Sequence, residues 1–81
     1  MKNSVKRQID GSKKTVAKWL EADRLANGFT QGDLARRAGI ERKTINRLEN
    51  EKFLPSLETL LRLCKVLKTT PSKVLKGIDF K

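Results

Sequence analysis

The sequence lacks histidine and tyrosine, and it contains a single cysteine among 81 residues. Histidine and cysteine are the usual general bases, nucleophiles and transition-metal ligands of proteins. The remaining hydroxyl, amine and carboxylate groups show no spacing that pairs a nucleophile with a base, and no glycine-rich phosphate loop is present. These absences argue against an enzyme, and the sequence predicts no catalytic residue, no metal site and no cofactor.

Long apolar runs are also missing, so the sequence contains no candidate membrane span and no apolar core of a signal peptide. One cysteine cannot form an internal disulfide. We therefore expect a cytoplasmic protein without a membrane partner. Aromatic residues make up 5% of the chain, which disfavours a nonspecific binder of single-stranded nucleic acid or RNA that stacks bases on aromatic rings.

Positive charge is what the sequence has in excess. Nineteen Lys and Arg residues against nine Asp and Glu residues give a formal net charge of +10. Such an excess in a chain long enough for one domain predicts a polyanionic partner, for which nucleic acid, anionic lipid and an acidic protein are candidates. Residues 1–13 are basic and have only Val5 and Ile9 as apolar anchors, so we expect a flexible arm there and one domain over residues 14–81.

Apolar residues at three- and four-residue spacing predict a first helix from about Lys14 to the Asn27-Gly28 pair. Residues 30–33, with the sequence Thr-Gln-Gly-Asp, have the form of a capping box and predict the start of a short second helix.

Gly39 follows the second helix and suits the left-handed conformation of a sharp turn. A third helix is predicted over residues 41–50, with Ile45 and Leu48 on its buried stripe and basic side chains on its other faces.

Pro55 and Ser56 predict the start of a fourth helix, and residues 70–72 predict the start of a short fifth helix that ends at Gly77. Apolar residues cover more than one face of the fourth helix, which predicts that it is packed on several sides. These residues are Leu57, Leu60, Leu61, Leu63, Cys64, Val66 and Leu67. The sequence thus predicts an all-α, compact five-helix bundle in which Cys64 is a packing residue.

This arrangement resembles the Cro/cI-type helix-turn-helix regulators, also called the xenobiotic-response-element family, over roughly residues 16–76. The match is a string of residues in register: Thr30-Gln31, Leu34-Ala35, Gly39-Ile40, Ile45, Leu48-Glu49-Asn50, Pro55, Leu57, Leu60, Leu63-Cys64 and Leu67. The resemblance implies a lambda-repressor-like DNA-binding fold with the helix-turn-helix at about residues 31–50. It also implies a sequence-specific transcriptional regulator of double-stranded DNA, a repressor, that binds a palindromic operator as a homodimer.

Two positions depart from the family pattern. Glu41 stands where many relatives cap the third helix with serine or threonine, a difference that costs on the order of 1 kcal/mol. Glu51 stands where relatives usually have glycine, which predicts a strained or differently shaped turn after the third helix.

By this resemblance the third helix lies in the major groove. The expected base-reading residues are Arg42, Lys43 and Arg47, with Glu41, Thr44 and Asn46 as additions. Arginine can pair with O6 and N7 of guanine, and asparagine favours adenine. The expected phosphate contacts are Gln31, Arg36, Asn50 and Lys52. Arg24 and Glu49 are expected to form a mostly buried, structural salt bridge between the first and third helices.

The sequence leaves open a second function and the position of the dimer contact. The same fold serves antitoxins that also repress their own operon, and Trp19 and Leu25 on the first helix are the candidate contacts for a toxin. For a homodimer, the candidate contact residues are Val66, Leu75, Ile78 and Phe80. The operator sequence, the regulatory signal and the choice between repression and activation are not decided by the sequence.

Overall fold

The computed structural model describes residues 2–78, and within them the chain forms five α-helices and no β-strand. The helices are α1 (Lys2–Ala26), α2 (Gln31–Ala38), α3 (Arg42–Glu49), α4 (Leu57–Val66) and α5 (Pro71–Leu75). α3 packs against α1 and α2, α4 packs against α2, and α5 packs against α4. The predicted all-α fold with five helices is confirmed. Phe80 and the arm's first residue, Met1, lie outside the described residues.

The core is formed by apolar side chains that α1 to α4 and the residue after α4 direct inward. Its buried members are Leu20, Leu34, Ala35, Ala38, Ile45, Leu48, Leu63 and Leu67. Ile45 and Leu48 are 0% and 1% exposed, and burying side chains of this size contributes about 1.5–3 kcal/mol each. The predicted inner stripe therefore fixes α3 to the body of the protein and leaves its opposite side in solvent.

The helix starts follow the predicted capping residues. The backbone amide of Asp33 donates to Thr30 Oγ1 at 3.0 Å, and the backbone amide of Thr30 donates to Asp33 Oδ2 at 3.0 Å. Hydrogen bonding from Thr30, chiefly from its backbone amide, together with Arg36 holds the pKa of Asp33 below its usual value. The carboxylate therefore supports the capping box at neutral pH and loses this role as the pH falls through that lowered pKa. Ser56 and Thr70 cap α4 and α5.

The turn between α2 and α3 is closed from two sides. Gly39 has φ 69° and ψ 36°, and its backbone amide donates to the carbonyl oxygens at the end of α2, as the sequence predicted. From α4, Arg62 Nη1 donates to Ala38 O at 3.2 Å and lies 3.0 Å from the position that a Cβ on Gly39 would take. The left-handed residue and this guanidinium together set the direction in which α3 leaves the turn.

The N-terminal part of the chain differs from its prediction. We expected a helix start near Lys14 after a flexible arm over residues 1–13, but α1 begins at Lys2. Ser12, near the end of that segment, is 4% exposed, and its hydroxyl donates to Gln8 O at 2.8 Å. An exposed ion pair between Lys6 and Asp10 also spans one turn of this part of the helix.

The added turns of α1 run beside residues from the second half of the chain. Ile9 and Val16 on α1 line an apolar groove together with Leu54, Leu75 and Ile78 from the second half of the chain. The sequence of residues 1–13 contains too few apolar residues to show a helix by periodicity alone. Periodicity therefore underestimates the length of α1.

The last two helices differ from their predictions in two details. α4 packs against both α2 and α5 as expected, but Leu57 and Leu61 are 70% and 48% exposed, so part of its apolar arc is left uncovered within the described residues. Gly77 does not adopt a positive φ, and the C-cap of α5 is Lys76. Cys64 is buried as expected, and burial, with a smaller contribution from Asp23, raises the pKa of its thiol.

The turn after α3 is strained, one of the two forms expected there. Glu51 has φ 61°, a left-handed conformation that costs a residue with a Cβ about 1–2 kcal/mol.

Replacing Glu51 with glycine should raise the free energy of unfolding by about 0.5–1 kcal/mol, because glycine avoids this strain but loses more entropy on folding. Urea unfolding measures the change. Glu51→Ala is the control, since it removes the charge and keeps the Cβ. An equal gain in both variants would contradict the backbone explanation.

Candidate nucleic-acid interface

The outward side of α3 gathers most of the predicted base-reading residues. Arg42, Lys43, Asn46 and Arg47 are all exposed, while Ile45 and Leu48 hold the inner side in the core. A shallow hollow on this side is lined by Arg42, Lys43 and Asn46. The helical period places these side chains on one surface because the buried residues occupy the opposite stripe. We call this surface the α3 face.

Cations of the α3 face are not neutralised by neighbouring acids. In the part of the chain that the structure describes, Arg42, Lys43 and Arg47 form no salt bridge, whereas Asp33 and Glu58 are each paired with an arginine elsewhere on the surface. Three uncompensated cations on one short helix create a positive potential. An α-helix also has the diameter that the major groove of B-DNA admits. The face is therefore suited to a polyanion whose groove displays hydrogen-bonding edges.

At the start of α3 the two remaining base-reading candidates differ in access. Glu41 is exposed and is the N-cap, but its side chain makes no capping hydrogen bond, in agreement with the poor cap expected there. Thr44 is half-buried. Within this group, Glu41 is therefore more accessible to a large ligand than Thr44.

Three of the four phosphate candidates surround the α3 face as exposed side chains. Arg36 Nη2 pairs with Asp33 Oδ1 at 3.2 Å. Asn50 Nδ2 donates to Asn46 O at 2.7 Å and closes the end of α3. Lys52 forms no salt bridge within residues 2–78. Their contact with phosphate stays a prediction. Lys52 is the most available of the three, because no carboxylate of the described residues pairs with its ammonium group.

Gln31, the fourth candidate, is bound to two protein groups. Its Nε2 donates to Glu49 Oε1 at 3.1 Å. Its Oε1 accepts a hydrogen bond from Asn46 Nδ2 at 3.3 Å. The sequence contained no signal for either contact, because both join α2 to α3 across the turn. The phosphate contact of Gln31 stays a prediction. In this structure both ends of its side-chain amide are hydrogen-bonded to protein groups.

Arg24 and Glu49 form the ion pair that the resemblance implied. Arg24 Nε donates to Glu49 Oε2 at 2.7 Å, and Arg24 Nη2 donates to Glu49 Oε1 at 2.9 Å. The two side chains are 10% and 4% exposed, and Arg24 Nη1 also donates to Phe29 O at 2.8 Å. The hydrogen bonds with Glu49 raise the pKa of Arg24. This pair connects α1 to the last residue of α3.

Two arginines outside the α3 face make contacts with other parts of the chain that the sequence did not predict. Arg62 closes the turn before α3, and the Arg37 guanidinium lies 4.6 Å from the centre of the Phe29 ring. Neither contact has a local sequence signal. Both residues looked like ordinary exposed cations until the packing of the helices was known.

Trp19 is held by the protein itself. Its indole Nε1 donates to Asp23 Oδ2 at 2.9 Å, and its ring packs against both clusters of buried core residues. Leu25 on the same helix is 60% exposed. Of the two candidate contacts for a toxin, only Leu25 presents an open apolar side chain.

Neither a metal cluster nor a membrane-spanning helix is present within residues 2–78. In that range no three Cys, Asp or Glu side chains come together in an arrangement that could hold a metal ion. None of the helices described there combines the length and the apolar character that a membrane crossing requires.

Comparison with known proteins gives a family match, a structural likeness and one negative result. A family model described as helix-turn-helix matches residues 20–74. The crystal structure of the clp gene regulator ClgR from Corynebacterium glutamicum superposes with a TM-score of 0.75 at 22% sequence identity. That alignment covers 83% of this chain and 71% of the ClgR chain. No curated protein sequence matches the chain.

Proposed function

Because this chain belongs to the helix-turn-helix family of the Cro/cI type, we propose that it is a sequence-specific repressor that binds double-stranded DNA. The observation that carries the proposal is the α3 face, on which Arg42, Lys43 and Arg47 are exposed and unpaired over a buried stripe. A repressor needs only to occupy its operator. The fold is shared with ClgR, a clp gene regulator, which is consistent with this role.

The side chains of the α3 face suggest how base pairs are read. Arg42 and Arg47 each bind a guanine through O6 and N7, Lys43 binds with less geometric control, and Asn46 selects adenine. Glu41 and Thr44 supplement these contacts at the start of the helix. The expected half-site is therefore partly guanine-rich. Arg36, Asn50, Lys52 and the start of α2 at Gln31 fix the register on the phosphate backbone.

A palindromic operator follows if two copies bind together. One α3 reads only a few base pairs, so high affinity calls for two recognition helices about 34 Å apart on half-sites separated by one helical turn. Leu75, 47% exposed, and the half-buried Ile78 and Val66 are the described members of the predicted dimer contact. Leu75 and Ile78 line an apolar groove together with Ile9. This groove adds apolar surface that a second copy would bury.

Sedimentation equilibrium tests the dimer. At micromolar concentration we expect a monomer–dimer equilibrium that shifts to the dimer when a selected palindromic duplex is added. Leu75→Glu should prevent the shift without unfolding the protein, because Leu75 is exposed. Lys73→Glu, an exposed charge change in the same helix, is the control. A single monomeric species with and without DNA would contradict the dimer.

An antitoxin that represses its own operon is the alternative that the sequence left open. It would use the same α3 face for DNA and a second surface for the toxin. Leu25 is exposed, but Trp19 is committed to the core and to Asp23. No other observation favours a toxin partner, so the repressor is the function that the site supports best.

Selection of bound sites from a random duplex pool tests the proposed function. We expect one enriched motif, bound several powers of ten more tightly than random duplexes at physiological salt. Titration across a salt series then separates charge from base reading. Charge-only binding would show a steep loss of affinity with salt and no enriched motif, and that result would contradict a sequence-specific regulator.

A further inference from the structure

The side-chain amide of Gln31 has one orientation that its surroundings favour. Glu49, 4% exposed and fixed by two hydrogen bonds from Arg24, offers only acceptor atoms. Gln31 must therefore turn its Nε2 toward Glu49, where the distance to Oε1 is 3.1 Å. Reversing the amide would place two oxygens against each other. The buried ion pair thus determines which end of Gln31 points away from the core.

The end that points away is the oxygen Oε1, and it accepts a hydrogen bond from Asn46 Nδ2 at 3.3 Å. Asn46 belongs to the exposed α3 face and borders its hollow beside Arg42 and Lys43. An asparagine amide has two N–H groups and one carbonyl oxygen. After one N–H is used by Gln31, the other N–H and Oδ1 remain for a ligand, and no described residue binds Oδ1.

These are the two groups that an asparagine needs to read adenine, since Oδ1 accepts from N6 and the amide donates to N7. We propose that Gln31 is a positioning residue that orients Asn46 for adenine, so that the first residue of α2 controls the base preference at one base pair of the site. This proposal rests on the proposed function. It assigns Gln31 a role in specificity that differs from a phosphate contact, which fixes register and carries no sequence information.

The experiment measures affinities for the selected duplex and for duplexes with each other base at every position. Asn46→Ala should abolish a preference of roughly tenfold for adenine at one base pair. Gln31→Met keeps the chain length and removes the amide, and it should weaken the same preference about 3- to 10-fold. In the double variant, Gln31→Met should add no further loss of preference to Asn46→Ala, because the two residues act in sequence.

Arg36→Gln on the same helix is the matched control, because loss of a phosphate contact should weaken binding equally on all duplexes. A uniform loss for Gln31→Met, or an adenine preference that it leaves intact, would overturn the positioning role while the proposed function stands. A wild-type protein without any base preference would overturn both.

A measurement without DNA covers the case in which Gln31→Met does not fold. In the NMR spectrum of the wild-type protein, one side-chain N–H of Asn46 should exchange with water more slowly than that of an unbonded amide. Equally fast exchange of both N–H groups would overturn the positioning role. In folded Gln31→Met this protection should disappear.

Discussion

Replacing Glu49 with alanine should lower the free energy of unfolding by about 3–5 kcal/mol. The substitution leaves the Arg24 guanidinium, 10% exposed, without the carboxylate that accepts two of its hydrogen bonds. A buried charge without a partner is costly because water cannot replace the lost contacts. A small domain is stabilised by only about 5–15 kcal/mol in total, so a large share of its stability should disappear in urea unfolding.

Glu58→Ala is the matched control for this loss. Glu58 also pairs with an arginine one turn away on its helix, but its side chain is 77% exposed, and exposed pairs of this kind contribute little to stability. We expect a loss of at most about 0.5 kcal/mol. Equal losses in Glu49→Ala and Glu58→Ala would contradict the structural role of the Arg24–Glu49 pair.

Replacing Arg47 with alanine should weaken binding to the selected duplex by about 1–3 kcal/mol and weaken binding to random duplexes far less. Arg47 is exposed on the α3 face and forms no salt bridge within the described residues. Its guanidinium is therefore available for a bidentate contact with guanine, which gives more discrimination than a point charge does. Fluorescence titration of both duplexes measures the difference.

Lys18→Ala controls for the loss of one positive charge. Lys18 is exposed on α1, and we expect at most a small loss of affinity that is the same on selected and random duplexes. If Arg47→Ala also weakened both duplexes equally, Arg47 would contribute charge rather than base reading. The selected duplex should show the larger loss at every salt concentration.

Features that depend on neighbours in the chain were predictable. The capping box at residues 30–33, the left-handed turn at Gly39 and the strained turn at Glu51 all depend on a few consecutive residues. The inner stripe of α3 was predictable for the same reason, since Ile45 and Leu48 are three residues apart on one helix. These local elements place the basic side chains of α3 opposite its buried stripe.

Features that join distant parts of the chain were not predictable. The start of α1 at Lys2 is one of them, since residues 1–13 show no helical periodicity and Ile9 lies beside Leu75 and Ile78 only in the folded chain. The exposure of Leu57 and Leu61 depends on which side of α4 the other helices leave uncovered. In each case the local pattern was compatible with more than one packing arrangement.

By itself the sequence determined the helices from α2 onward, the sharp turn before α3 and the excess of positive charge, because caps, glycine and helical periodicity act over a few residues. Only the tertiary structure decided the length of α1 and the hydrogen bonds from Glu49 through Gln31 to Asn46. Those contacts exist because packing brings α1, α2 and α3 together around a buried ion pair, and a hydrogen bond between separate helices leaves no pattern in the local sequence.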